Sequence, residues 1–218
     1  MILRLCLSKE GPARFISHLD YSRAIERALR RAQIPVQFTE GFNPRMKLSF
    51  ADALPVGMVS RAEWLDVHLK ASVDPAEAKR RLGASLPAGV RVLELFVIPD
   101  NLPPLTSLLE AVTYEATVRL RDCPDHGKLI QHFLRQEEIR VERPSRGVID
   151  VKGSLLDLRG EVRDGKLIVY MTTSGEKTVR PEPVIRALDD FGGSWLDLDS
   201  LRVEKTGMVF RGSSLTGG

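Results

Sequence analysis

Apolar and polar residues alternate in some segments and recur at helical spacing in others, so the chain should contain both strands and helices. Residues 2–8 alternate, as the residues of a half-buried strand do. Ser17 with Asp20 three residues later predicts the capped start of a helix. Pro35 ends that helix near Ile34 because proline disfavours helical geometry at the preceding residue. The predicted inner face of the helix consists of Leu19, Ala24, Ile25, Ala28, Leu29 and Ala32.

The rest of the first half continues with short alternating strands and one more helix. Strands are predicted at residues 36–38, 48–50, 64–69 and 90–98. A helix is predicted from Asp74-Pro75, with proline at its first position, to Leu82-Gly83. A strand, helix, strand, strand, helix, strand order is that of a split βαβ, or ferredoxin-like, unit.

The second half shows a similar order of elements. Strands are predicted at residues 113–120, 139–142, 148–162, 167–172 and 201–205, and helices at 125–135 and 181–188. Asp164-Gly165 is a strong hairpin signal. We therefore predict an α+β protein with two ferredoxin-like units in tandem. The predicted domains are 1–98 and 109–212, with a linker at 99–108 and a disordered tail at 213–218.

Composition narrows the class of protein. Apolar residues make up 43% of 218 residues, which is ordinary for a globular protein. No apolar run approaches the ~20 residues of a membrane span, and the start of the chain does not resemble a signal peptide. A cytoplasmic protein without membrane contact is therefore expected.

Cysteine and histidine spacing predicts no metal centre. The two cysteines, Cys6 and Cys123, form no Cys-x-x-Cys motif. None of the four histidines lies in a known metal motif. We expect no metal and no cofactor bound by the chain itself, although a site assembled from distant residues stays open.

Positive charge is concentrated at the start of the chain. Residues 1–50 hold nine Lys or Arg residues and four acidic ones, whereas the whole chain carries a net charge of only +3. Such asymmetry predicts a local basic patch. Within it, four arginines follow helical spacing on one face of the first helix: Arg23, Arg27, Arg30 and Arg31.

Two interpretations of these arginines remain open. Arginine is the preferred side chain for forked contacts with phosphate, which favours an anion-binding face. A solvated helix surface is the alternative, with Glu26 four residues before Arg30 and positioned to pair with it. One acidic residue cannot neutralise four arginines.

Two flanking segments extend the candidate anion site. Arg14 and His18 lie at the start of the helix, where backbone N–H groups favour anions. His18 either makes a local hydrogen bond or contacts a ligand and transfers protons near neutral pH. The turn-rich loop at 40–47 combines an aromatic ring, an amide and two cations, a mixture suited to nucleic acid. Its candidate residues are Phe42, Asn43, Arg45 and Lys47.

A second candidate face lies on the predicted strand at 64–69. Trp64, Asp66 and His68 share one side of it. They either form an open sheet face of the kind that binds RNA bases, or pack beneath the second half of the chain. The packed arrangement is favoured.

Five motifs occur in fixed order within residues 1–57. They are Arg14-Phe15-Ile16-Ser17-His18-Leu19-Asp20, Glu26-Arg27-Ala28-Leu29-Arg30-Arg31-Ala32, Glu40-Gly41-Phe42-Asn43-Pro44, Leu48-Ser49-Phe50-Ala51 and Leu54-Pro55-Val56-Gly57. Together they resemble the bacterial radical-SAM-linked protein family, a domain of unknown function. The resemblance implies a partner of a radical SAM protein in RNA- or ribosome-related modification. That partner would carry the iron–sulfur cluster and S-adenosylmethionine. The resemblance implies no catalytic residues.

Three functions follow as hypotheses. The preferred one is a non-catalytic accessory protein that binds RNA or presents a substrate to a radical SAM enzyme. The second is a metal-independent RNA-processing or RNA-modifying enzyme with His18 as general acid or base. The third is a structural subunit whose arginines meet an acidic protein surface.

Overall fold

The computed structural model describes residues 1–122, 125–143 and 147–212. The chain divides into two compact units, Met1–Leu109 together with the chain from Phe210 onward, and Glu110–Val209. Helices and sheets are both present in each unit, so the predicted α+β class is confirmed. Cys123 and the predicted disordered tail at 213–218 lie outside the described residues.

The first unit pairs four antiparallel strands in the order β4-β1-β3-β2. Its elements are β1 (Ile2–Lys9), α1 (His18–Arg31), β2 (Leu48–Phe50), β3 (Val59–His68), α2 (Pro75–Gly83), β4 (Val92–Ile98) and α3 (Leu105–Leu108). A short 3₁₀ helix, Gly11–Phe15, precedes α1. The segment at 99–108, predicted as a linker, contains α3 and the buried Leu105.

Both long helices of this unit begin where the sequence predicts. The Ser17 hydroxyl accepts a hydrogen bond from the Asp20 backbone N–H at 3.1 Å. The Asp74 carboxylate accepts one from the Glu77 N–H at 2.8 Å. Each bond satisfies a backbone donor that has no partner inside the helix, which fixes where the helix starts.

The core of the first unit lies between α1, α2 and one face of the sheet. Ile25 and Leu29 of α1 pack there with Leu5 of β1. The prediction that Leu19 belongs to this inner face is wrong, because its side chain is 59% exposed. Tyr21 occupies the inner position instead. At about 100° per residue, Leu19 lies about 140° from Ala24, which turns it outward.

The opposite face of the sheet is covered, so the open-face interpretation of Trp64 and Asp66 is wrong. Both side chains are buried, while His68 is partly exposed. The Trp64 ring stacks on Phe96 with a centroid distance of 6.5 Å. Asp66 forms a forked ion pair with Arg4, which pairs with it across β1 and β3.

The second unit has the strand order β10-β5-β9-β8 and a separate two-stranded ribbon, β6-β7. Its elements are β5 (Leu109–Leu120), α4 (His126–Leu134), β6 (Arg140–Arg143), β7 (Gly147–Asp150), β8 (Leu155–Arg163), β9 (Lys166–Ser174), α5 (Pro181–Phe191) and β10 (Leu196–Phe210). Phe133 of α4 packs edge-on against Phe191 of α5, with centroids 5.7 Å apart.

Two strand predictions in this unit are corrected and one turn is confirmed. The strand predicted over 148–162 is broken by a 3₁₀ turn at Lys152–Ser154, and the strand predicted over 201–205 extends over Leu196–Phe210. Asp164 and Gly165 have φ values of 51° and 68°, which is the geometry of a tight hairpin turn.

The described ranges contain neither a membrane-spanning helix nor a cluster of metal ligands. None of the helices there is both long and apolar enough to cross a bilayer. No three His, Cys, Asp or Glu side chains come together there in a way that could hold a metal ion.

Candidate functional site

The outer face of α1 carries the four arginines as a stripe. Their side chains are all exposed: Arg23, Arg27, Arg30 and Arg31. The opposite face of the helix is in the core, which fixes the helix rotation and so the direction of the stripe. The sequence prediction of one cationic face is therefore matched by the geometry of α1.

The partners of these arginines differ. Arg23 makes a long ion pair with Asp20, 3.5 Å apart and largely exposed on both sides. Arg31 donates to the backbone carbonyl of Ser85, which leaves its charge intact. Within the ranges that the structure describes, Arg27 and Arg30 have no hydrogen-bonding or ion-pair partner, and the pairing of Glu26 with Arg30 is not formed. The stripe is thus only weakly neutralised.

The polar groups at the start of α1 have more hydrogen-bonding partners than the arginines of the stripe. The Ser17 hydroxyl donates to the Asp20 carboxylate at 2.7 Å while it also accepts from the Asp20 N–H. A carboxylate therefore lies in the first turn, where it interacts favourably with the helix dipole. The half-buried ring of His18 packs edge-on against Phe50 at 4.9 Å, and its buried Nδ1 has no partner among the described residues.

The loop at 40–47 is the tip of a short hairpin. The backbone N–H of Thr39 donates to the Arg45 carbonyl, and the N–H of Lys47 donates to the Gln37 carbonyl. Phe42 at the tip is fully exposed, as are the side chains of Asn43, Arg45 and Lys47. These four candidate residues therefore lie on one accessible loop.

The strand register places the two candidate segments at different ends of α1. One is the helix start with Arg14 and His18, and the other is the hairpin loop at 40–47. Phe50, which contacts His18, pairs with Leu65. The hairpin leaves the sheet three residues before Phe50, where the backbone carbonyl of Lys47 accepts a hydrogen bond from the His68 N–H. The stripe runs between these ends over a helix about 20 Å long. The candidate residues form an elongated surface and do not converge on one pocket.

Sequence comparison gives the family. A family model described as "Uncharacterized protein conserved in bacteria (DUF2344)" matches residues 3–181. The chain belongs to this family. No curated protein matches the sequence significantly.

Solved structures share the fold at low sequence identity. One chain of a structure described as "Crystal Structure of a Cbf5-Nop10-Gar1 Complex" aligns with 94% of this chain at 12% identity and a TM-score of 0.56. One chain of "Structure of H/ACA RNP bound to a substrate RNA containing 2'-deoxyuridine" aligns with 94% at 11% identity and a TM-score of 0.51. The DUF2344 chain spans 48% and 46% of those two chains, about half their length.

Sequence reasoning missed several exposed apolar side chains beside the stripe. Phe15 is 60% exposed, Leu19 is 59% exposed, and Val56 is 59% exposed. Helical arithmetic could have found Leu19, since it lies on the same side of α1 as the arginines. The exposure of Phe15 depends on the 3₁₀ turn at Gly11–Phe15, which hydrophobic periodicity does not predict.

Proposed function

We propose that the protein is a non-catalytic accessory protein that binds RNA along the outer face of α1. In this proposal it serves a radical SAM enzyme, which supplies the iron–sulfur cluster and S-adenosylmethionine. One observation carries the RNA-binding part: four exposed guanidinium groups lie on one helix face, and two of them have no partner in the described ranges.

The energetics of the stripe support binding to a polyanion. An exposed ion pair such as Arg23–Asp20 contributes about 0–1 kcal/mol, so a phosphate can replace the carboxylate at little cost. Arg31 is held by a neutral carbonyl and keeps its full charge. Each arginine can present two parallel N–H donors to a phosphate, a geometry that lysine lacks.

Fold similarity supports the same proposal at a coarser level. The structure described as an H/ACA RNP bound to a substrate RNA is a complex that contains RNA. At 11% identity this likeness concerns the fold, and it does not identify the binding surface. The surface is proposed from the charges and exposures of α1.

The ferredoxin-like assignment of both units is also part of the proposal. The strand orders β4-β1-β3-β2 and β10-β5-β9-β8 support it, because each places the first and third strands of its unit at the centre. The ribbon β6-β7 would be an insertion in the second unit. An experimental structure with another strand order in either unit would remove the assignment.

The radical SAM part is supported by the motif resemblance in residues 1–57 alone. A pull-down from the native host, with and without nuclease, tests it. Capture of a radical SAM protein in both samples is the expected result. Capture only without nuclease would mean that RNA bridges the two proteins.

Salt dependence of RNA binding tests the arginine stripe. We compare the wild type with Arg27→Gln/Arg30→Gln. For single-stranded RNA each lost phosphate contact lowers the slope of log affinity against log salt by about 0.7, so the variant slope should fall by about 1.4. Far-UV circular dichroism should be unchanged because both side chains are exposed.

A matched control is available on β8. Arg159→Gln/Arg163→Gln removes the same charge from two exposed arginines that pair with Asp157 and Glu161. This control should keep the wild-type slope. If the slope of log affinity against log salt is the same for all three proteins, or falls equally in both variants, α1 is rejected as the binding face. An RNA that is turned over by the wild type and not by His18→Ala would replace the accessory role with an enzymatic one.

A further inference from the structure

Exposed apolar groups lie at the start of α1, directly beside the arginine stripe. Phe15 and Leu19 flank the Ser17 cap, and both side chains are more than half exposed. The backbone N–H of Gly57 donates to the Arg14 carbonyl at 2.7 Å, which ties the loop that carries the exposed Val56 to the 3₁₀ turn that carries Phe15. Single exposed apolar side chains are ordinary, but a group of them indicates a contact site.

Cations are stacked on the aromatic rings at both ends of the stripe. The guanidinium carbon of Arg14 lies 4.5 Å from the centroid of the Phe15 ring. At the hairpin end, the ammonium of Lys70 lies 5.2 Å from the centroid of the exposed Phe38 ring. A cation is attracted to the face of an aromatic ring, and with these cations in place Phe15 is still 60% exposed and Phe38 37% exposed.

We propose that this surface selects single-stranded RNA, with unpaired bases stacked on Phe15 at one end of α1 and on Phe38 and Phe42 at the other. The inference rests on the proposed function and specifies its substrate class. Phosphates between the two ends contact the arginine stripe. The Phe15 platform, with Val56 beside it, is a base-binding site at the start of α1.

Base stacking requires unpaired nucleotides. In a duplex the bases are stacked on one another, so their faces cannot reach a protein ring, whereas loops, bulges and ends can splay their bases onto aromatic side chains. Every base has a flat aromatic face, so such platforms bind strands with little sequence preference. Exposed rings therefore favour single strands over duplexes.

The length of α1 sets the length of strand that can span the site. The helix is about 20 Å long, which corresponds to roughly six nucleotides at a stacked spacing of about 3.4 Å per nucleotide. A more extended strand needs fewer. Oligonucleotides shorter than this should reach only one end and bind more weakly.

The alternation of chemistry favours RNA over a protein as occupant. A strand of RNA presents flat bases and negative phosphates in turn. The surface presents a ring with a stacked cation, then guanidinium groups, then further rings. An acidic protein segment would satisfy the charges, but it would leave the cation-bearing rings without a specific partner.

Fluorescence of 2-aminopurine in a short single strand of about nine nucleotides provides the test. A probe base that leaves its neighbours to stack on Phe15 escapes quenching by those bases, so its fluorescence should rise on binding to the wild type, and Phe15→Tyr should keep the wild-type affinity. In Phe15→Leu, which keeps an apolar side chain but loses the ring, the fluorescence rise at one probe position should disappear and affinity should fall about 5- to 100-fold. Leu156→Ala, which truncates an equally exposed apolar side chain on β8 outside the proposed surface, is the control and should change affinity by less than about threefold.

The outcomes separate the two proposals. Equal affinity for a duplex of the same sequence, or unchanged binding by Phe15→Leu, overturns the single-strand inference while salt-dependent binding through Arg27 and Arg30 still stands. Loss of a captured partner protein by Phe15→Leu with RNA affinity intact assigns the patch to a protein and also overturns the inference. Absence of salt-dependent binding to any RNA rejects the proposed function itself.

Discussion

The buried ion pair between Arg4 and Asp66 should be strongly destabilising when only one partner is removed. Arg4 Nε donates to Asp66 Oδ1 and Arg4 Nη2 to Asp66 Oδ2, both at 2.8 Å. The side chains are 0% and 2% exposed. Arg4 Nη2 is also 3.4 Å from the Pro103 carbonyl, while Nη1 has no partner among the described residues. The pair is therefore almost fully removed from water.

These contacts set the expected magnitudes. Asp66→Asn leaves a buried guanidinium without a counter-charge, and Arg4→Met leaves a buried carboxylate, so each change should cost about 3–5 kcal/mol of unfolding free energy. Arg4→Met/Asp66→Val removes both charges and fills the space with apolar groups. This double variant should lie within about 2 kcal/mol of the wild type, because replacing a whole buried pair is often neutral. The coupling energy should exceed about 3 kcal/mol.

Urea unfolding measures the cycle. Trp64 packs on Phe96 on this face and reports the first unit, and Trp195→Phe removes the signal of the second. The prediction is wrong if each single substitution lowers the free energy of unfolding by less than about 1 kcal/mol and the two effects add without coupling. Such a result would show that water reaches the ion pair. The sheet face would then be accessible, and the open-face interpretation of Trp64 and Asp66 would return.

Three further changes test single features of the first unit. Tyr21→Phe should stabilise it by about 1 kcal/mol, since the buried hydroxyl has no partner in the described ranges. Desolvation raises the pKa of Tyr21 well above its usual value of 10, so above pH 10 the unfolded chain loses this proton before the folded protein does. Wild-type stability should therefore decline as the pH rises past 10, and Tyr21→Phe should lack this part of the decline. Urea unfolding midpoints measured at several pH values test this. Gly89→Ala should cost about 2 kcal/mol or more in thermal unfolding, because φ is +85° and the added Cβ would lie 2.2 Å from the Glu10 carbonyl oxygen. Ser17→Ala should cost about 1 kcal/mol through the lost cap, and Ser17→Asp, which keeps an acceptor, should restore most of it.

Features set by short-range rules could be predicted from the sequence. Ser17 and Asp74 each accept a hydrogen bond, through a side-chain oxygen, from the backbone N–H three residues later. This contact is local, so it needs no other part of the fold and can be predicted from the sequence. The Asp164-Gly165 turn depends only on the ability of these residues to adopt positive φ. The arginine stripe follows from helical geometry once the helix is placed.

Features set by distant contacts could not be predicted. Asp66 lies between Leu65 and Val67 on β3, and its side chain points to the opposite face of the sheet from theirs. A polar residue in such an alternating pattern normally faces water. Only its partner Arg4, 62 positions away in the sequence, makes it an interior residue. The separate ribbon of β6 and β7 likewise depends on pairing that periodicity does not specify.

The positive charge counted in residues 1–50 is larger than the positive charge that this segment exposes at the surface. Residues 1–50 contain nine cations, but Arg4 and Lys9 are buried, and Arg4 is neutralised by an acid outside the segment. Counting charge along the sequence therefore overstates the field at the surface. What remains exposed is concentrated on α1 and the hairpin loop. The salt dependence of RNA binding should accordingly follow the α1 arginines, because only charges that can reach a phosphate release counterions.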